Sequence, residues 1–215
     1  KSQGVRHFLF SSSVAVYGET KSLSIDEETV CKPELWSGDP GPAYGIMKFT
    51  TERLCLMYHH HYGLPVTAFR IEVVFDDNEV QFLGRSTVND VIKGETIEAI
   101  EGDGFATIHV DEIVQAFLTA TLNKNAYGQV FNLSNPATYM TNRELYQLLI
   151  ELTGSKSEIK LITDSMRRSS SSPLESIEKI QRMLGWKPQK TKEDVKKAIA
   201  KYVQSVVTSS STSHK

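Results

Sequence analysis

Tyr44 and Lys48 lie four residues apart in "PAYGIMK", and a helix brings residues at that spacing onto one face. A phenol and an ammonium can therefore address one space. Unperturbed tyrosine, with a pKa of ~10, is a poor base at neutral pH, and a neighbouring ammonium favours its phenolate. Some thirty residues earlier, "VRHFLFSSS" ends an apolar run with Ser11, Ser12 and Ser13. A hydroxyl at the carboxyl end of a strand in an open α/β sheet stands where ligands bind. One of the three serines is thus placed to share a proton network with Tyr44. Against this stands the ordinary reading, in which a Tyr-x-x-x-Lys spacing arises by chance on a structural helix.

The elements that would position these groups are legible as patterns. Val5–Phe10 has the apolar density of a central parallel strand. A long loop with Pro33, Gly38, Pro40 and Gly41 follows, and Asp39 and Pro42 supply helix-start signals. The helix "AYGIMKFTTERLCLMYHHHY" stops at Gly63 and Pro65, and "PVTAFRIEVVF" reads as a second strand. "FLGRSTVNDVIKG" reads as a helix, "TIEAIEGDGFATIHV" as a short two-stranded segment, and "DEIVQAFLTATLNK" as a helix. "QVFNLS" is a third core strand, and Thr141-Asn142 opens another helix. A Ser-rich stretch at 169–172 precedes the helices "PLESIEKIQRMLG" and "KEDVKKAIAKYVQSV". Strands alternating with helices predict an α/β protein, a Rossmann-type, mostly parallel sheet with a small substrate-binding lobe. Residues 1–70 and 108–134 are expected to complete the sheet, 71–107 and 135–205 the lobe, and 206–215 a flexible tail.

Composition narrows the function classes. The 215 residues are 40% apolar and 23% charged, enough for a real core. A net charge of -2 speaks against nonspecific binding to nucleic acid or to membrane surfaces. Cys31 and Cys55 are too few for a disulfide framework and match no zinc spacing. No run approaches the ~18 apolar residues of a membrane span. The expectation is a soluble, cytoplasmic protein with no metal. Lys1 heads the chain and a strand follows almost at once, as in a chain opened within a domain.

Taken together, these segments resemble the extended short-chain dehydrogenase/reductase family, the NAD(P)-dependent sugar-nucleotide epimerases and dehydratases. "GVRHFLFSSSVAVYGE" is similar to its serine strand, "PAYGIMKFTTERL" to its Tyr-Lys helix and "AFRIEVVF" to the strand after it. "EGDGFATIHVDEIVQAF", "GQVFNLSNPATYMTNRELYQLL" and "IEKIQRMLGWKP" resemble later segments. The resemblance implies NAD or NADP as cofactor and a sugar or nucleotide-sugar substrate. Tyr44 would be the acid/base and Lys48 would hold the nicotinamide ribose. Ser13 would hydrogen-bond the reacting oxygen, with Ser11 and Ser12 nearer the cofactor. Arg167 and Arg168 would bind a diphosphate as forked donors. Relatives often pair the Tyr-Lys helix into homodimers, so a homodimer is the assembly implied.

Several positions depart from that pattern. Val14 and Ala15 stand where dehydratases carry an acidic pair, which argues against 4,6-dehydration. Val73, Asp76 and Asp77 replace the expected Asn and Gly-Pro, and Phe105, Ala106 and Thr107 occupy the place of an expected arginine. The Gly-rich turn that lets backbone amides approach a pyrophosphate is not among these residues. An upstream portion carrying it is the favoured expectation, with a remnant as the other. Two rival functions stay open: reduction of a smaller carbonyl, and noncatalytic partner binding.

Other polar residues have plainer readings. His59, His60 and His61 read as a solvated helix end, His109 as a structural hydrogen-bonder and Asp26, Glu27 and Glu28 as a solvated loop. Trp186 reads as packing, and Arg70 as either an ion-pair partner or a substrate contact.

Overall fold

The computed structural model describes residues 3–19, 22, 24–36, 38, 40–80, 82–162 and 174–212. Arg167, Arg168, the serines at 169–172 and the helix-start residue Asp39 lie outside them. In chain order the elements are β1 (Phe8–Ser13), β2 (Ser24–Ile25), α1 (Pro42–Tyr62), β3 (Val66–Ile71), β4 (Val73–Phe75) and α2 (Arg85–Lys93). Next come β5 (Ile97–Ile100), β6 (Gly104–His109), α3 (Val110–Ala120), β7 (Gln129–Leu133), β8 (Asn135–Thr141) and α4 (Asn142–Thr153). β9 (Ile159–Ile162), β10 (Leu174–Glu175), α5 (Glu178–Leu184) and α6 (Lys192–Thr212) complete it.

The order β1-β3-β7 makes a three-stranded parallel sheet, as expected for an α/β protein. β4, β6 and β8 form a second sheet, parallel between β4 and β6 and antiparallel between β6 and β8. Two short parallel pairs, β5-β9 and β2-β10, flank these. The apolar run read as one strand through "AFRIEVVF" is two, broken at Glu72, whose amide donates to Leu133 O at 3.0 Å. Ser134 breaks β7 from β8 in the same way, so two of the strands that end the first sheet turn directly into the second.

Three further readings are corrected. β5 and β6 both form, yet they do not pair with each other: β5 joins β9 and β6 lies between β4 and β8. The helix expected from Pro173 starts only at Glu178, because Leu174 and Glu175 pair with Ser24 and Ile25. The end expected to be flexible from residue 206 is helical to Thr212, anchored by Val203 and Val206, which are buried against Leu145 and Leu149.

One apolar cluster joins Phe69, Phe131 and Leu133 of the parallel sheet to Ala116, Ile180 and Trp186. A second packs α2, α4 and α6 together through Val88, Leu149 and Ile199, and a third gathers Val14, Val16, Tyr17 and Ile25. Burial of such side chains stabilises by roughly 1.5–3 kcal/mol each. Among the described residues no helix is long and apolar enough to cross a membrane.

Candidate active site

Helix α1 carries the phenol and the ammonium, and its ends are set by sequence. Pro42 occupies its first turn, and Gly63 closes it in the left-handed region with φ 62°, its amide donating to His59 O at 2.9 Å. The helix lies hard against the turn that follows β1. A Cβ on Gly45 would stand 2.6 Å from Ala15 O and 3.2 Å from Pro33 Cβ, so only glycine allows this approach. Val14–Tyr17 form that turn as one stretch of 3-10 helix.

The three serines take three different roles. Ser11 is exposed, and its carbonyl accepts a hydrogen bond from Lys48 Nζ at 2.8 Å. Ser12 is buried, and its hydroxyl donates to Glu52 Oε2 at 2.8 Å. Ser13 caps the 3-10 turn, its Oγ accepting from Ala15 N at 3.2 Å while its own O–H remains able to donate. Tyr44 is half-buried, with Lys48 Nζ 5.5 Å from its ring centroid and 5.6 Å from that of Phe10. The structure therefore brings Tyr44 and Lys48 together on one face and ties Lys48 to the serine strand. Ser12, expected nearer a cofactor, points instead into the protein.

Glu52 follows Lys48 by one helical turn on the same face and was missed in the sequence. Its carboxylate accepts from Ser12 Oγ, from Arg70 Nε at 3.1 Å and from Arg70 Nη2 at 2.7 Å. Both members of this pair are out of water. Arg70, whose role the sequence left open, is thus an ion-pair partner. Burial works against its charge, and the bonds to Glu52 outweigh burial, so its pKa is held above the ordinary arginine value. The guanidinium also sits 4.7 Å over the Tyr17 ring, and Tyr17 Oη donates to Asn132 Oδ1 at 2.6 Å. Burial pushes the Tyr17 phenol well above its usual range, so it serves as a neutral structural donor.

Glu27, read as part of a solvated loop, is half-buried: its Oε1 accepts from Asn132 N at 2.8 Å, and burial raises its pKa. Asp26 and Glu28 are exposed as expected, with Asp26 Oδ1 accepting from Glu28 N at 3.1 Å. His109 caps α3 as expected, Nδ1 accepting from Asp111 N at 3.1 Å while Glu112 accepts from His109 N. Glu112 also gathers the amides of Gln189 and Lys190 at 2.5 and 2.7 Å, and Trp186 Nε1 donates to Glu112 O. That docks the closing segment onto α3. Trp186 is buried packing, and it makes one bond besides. His59 Nδ1 lies 2.8 Å from Leu64 O at the end of α1.

The parallel sheet, with the helix that bears Tyr44 and Lys48 packed on it, makes this a Rossmann-type α/β protein. Residues 1–134 match the NAD dependent epimerase/dehydratase family, and the chain belongs to that family. It is 26% identical to GDP-mannose 3,5-epimerase of Arabidopsis thaliana over 196 residues, covering 86% of this chain and 50% of that one. UDP-glucuronate 4-epimerase 2 of the same plant is 25% identical over 224 residues, covering 91% of this chain and 47% of its own. Among solved structures, UDP-glucose 4-epimerase of Thermotoga maritima, with UDP-glucose, superposes with a TM-score of 0.70 at 26% identity, covering 96% of this chain and 66% of that one. The UDP-glucuronic acid 4-epimerase of Bacillus cereus, in complex with NAD, shares the fold with a TM-score of 0.71 at 17% identity, over 93% of this chain and 62% of that one. The chain spans about half the length of the curated relatives it matches.

Proposed function

We propose that this chain supplies the acid/base side of an NAD(P)-dependent epimerase or oxidoreductase acting on a sugar, and that the sugar is nucleotide-linked. The observation that carries the reading is the stacking of Tyr44 and Lys48 at the serine strand, with Lys48 Nζ bonded to Ser11 O. The residues fit the nicotinamide-ribose end of the cofactor. An ammonium has three N–H groups, and the Ser11 carbonyl takes one, leaving two to meet ribose hydroxyls. A bound nicotinamide would supply the acceptance and return of hydride. Tyr44 would hold and move a proton at the sugar oxygen, and the Ser13 O–H would orient that oxygen. Ser11, beside Lys48, is the serine that would lie against the cofactor, while Ser12 supports Glu52. Arg167 and Arg168 remain the proposed diphosphate contacts.

Support for the sugar-nucleotide substrate comes from the sugar nucleotides after which the relatives are named and from family membership. The departures at Val73, Asp76 and Asp77 favour a second reading, a reductase of a smaller carbonyl. Calorimetric titration with NAD and NADP, followed by assays with UDP-, dTDP- and GDP-sugars and small aldehydes, separates the two. Tyr44→Phe is expected to abolish turnover while changing cofactor affinity less than about threefold. Turnover surviving in that variant removes Tyr44 from the chemistry. A folded protein that binds neither dinucleotide overturns the reading for this chain.

A further inference from the structure

Glu72 lies at the joint between β3 and β4, and Glu175 in β10; they are 3% and 1% exposed. Glu72 Oε1 accepts from Val73 N at 3.1 Å. Glu72 Oε2 and both carboxyl oxygens of Glu175 find no donor among the described residues. The two carboxyls lie against each other, and the buried Ser134 hydroxyl adjoins Glu175 as a single nearby side-chain donor.

Several charged groups of the surrounding elements have partners of their own, and Glu178 and Arg182 of α5 line the cleft beside Ser176. On β3, Arg70 is spent on Glu52 and on Glu27 O. After β2, Glu27 takes the Asn132 amide; on α5, Lys179 sits over Phe131 and interacts with Glu27 and Glu28. On β6, His109 has Asp77 and Asp111, and on α3, Glu112 has the amides of His109, Gln189 and Lys190. Thr107 on β6 and Asn135 on β8 do not titrate. Two ionised carboxylates are acceptors only, and burying both beside each other combines desolvation with like-charge repulsion. A proton on one converts it into the missing donor.

We propose that Glu72 and Glu175 share a proton, and that this proton fastens the β2–β10 ribbon across the joint between the two sheets, so that the ribbon loosens when the pair ionises. The ribbon is short enough for that to matter. It consists of the pairs Leu174 with Ser24 and Glu175 with Ile25, a bond from Ser176 N to Ile25 O at 2.7 Å, and one from Asn132 Nδ2 to Ser176 O. The direction follows from linkage. Burial raises both carboxyls above the ordinary range, and their mutual repulsion raises Glu175 further. The folded chain thus keeps a proton that the unfolded chain gives up. The stability this contributes is fully present below the unfolded pKa of ~4.3 and is lost as pH rises through the folded value.

The test is carbon-13 NMR of glutamate side chains in the whole chain, with amide hydrogen exchange at Ser176, from pH 5 to 10. At least one glutamate carboxyl is expected to titrate well above the ordinary carboxylate range, and the protection factor of Ser176 to fall at least tenfold across that step. Glu175→Gln, which mimics the protonated acid, is expected to abolish the fall. If that variant does not fold, Glu72→Gln is expected to do the same. All glutamates titrating near their ordinary values, or a Ser176 profile unchanged in the variant that folds, overturns the proposal.

Discussion

Arg70 Nη2 stands 2.7 Å from Glu52 Oε1 with both side chains shielded from water, and this pair joins α1 to β3. Because Ser12 Oγ also donates to Glu52, the helix that carries Tyr44 and Lys48 is held to two adjacent strands through one carboxylate. Removing one partner of a buried pair leaves the other charge uncompensated, at a cost of about 3–5 kcal/mol. Glu52→Ala is therefore expected to lower unfolding free energy by that amount in urea titration. Replacing both residues by Met is expected to cost less than Glu52→Ala alone. A loss under about 1 kcal/mol in the single variant would show that the pair does not carry the joint.

Gly45 offers a second handle on the same helix. Alanine favours helix over glycine by about 1 kcal/mol. Here the added methyl would meet Ala15 O at 2.6 Å, a backbone atom that cannot rotate away. Overpacking of this kind costs roughly 1–3 kcal/mol, so the clash outweighs the propensity. Gly45→Ala is expected to destabilise the protein and push the start of α1 outward. A variant as stable as the parent, by thermal melting, would mean that the helix and turn are not in close contact.

The parts of this arrangement that were readable from sequence are those with long patterns. β1, β3 and β7 are parallel strands packed against helices, so their apolar runs are dense, and α1 is bounded by Pro42 and Gly63. The break at Glu72 was read through, because one acid in "AFRIEVVF" does not interrupt the run. β2 and β10 hold two residues each, too few for any period to show. The resemblance sets Ser11 and Ser12 together beside the cofactor and Ser13 apart from them, whereas strand geometry sends alternate side chains to opposite faces. That rule separates Ser12 from Ser11 and Ser13 and could have placed Ser12 toward the core. Glu52 was within reach as well, four residues beyond Lys48. Its partner Arg70 sits in a later strand, and only the register of β1 with β3, which sets Ser12 opposite Arg70, brings the three together.

The start of α4 gives a pH-dependent prediction on the acid side. Thr141 Oγ1 accepts from Glu144 N at 3.1 Å, and Glu144 Oε2 accepts from Thr141 N at 2.8 Å, a reciprocal cap. Glu144 Oε1 also takes Lys192 Nζ at 3.0 Å, tying α4 to α6. Burial acts to raise the Glu144 pKa, but the Thr141 amide and Lys192 outweigh it, and the net displacement is downward. The unfolded chain then binds the proton more readily, so this contribution is present above the unfolded pKa of ~4.3 and is lost as pH falls through the folded value. Thr141→Ala is expected to cost about 1 kcal/mol at pH 7. Glu144→Gln is expected to flatten the fall in stability between pH 5 and pH 3, read by urea titration at each pH. An acid limb identical in parent and Glu144→Gln would assign the fall to other carboxylates and leave this cap without a charge-dependent role.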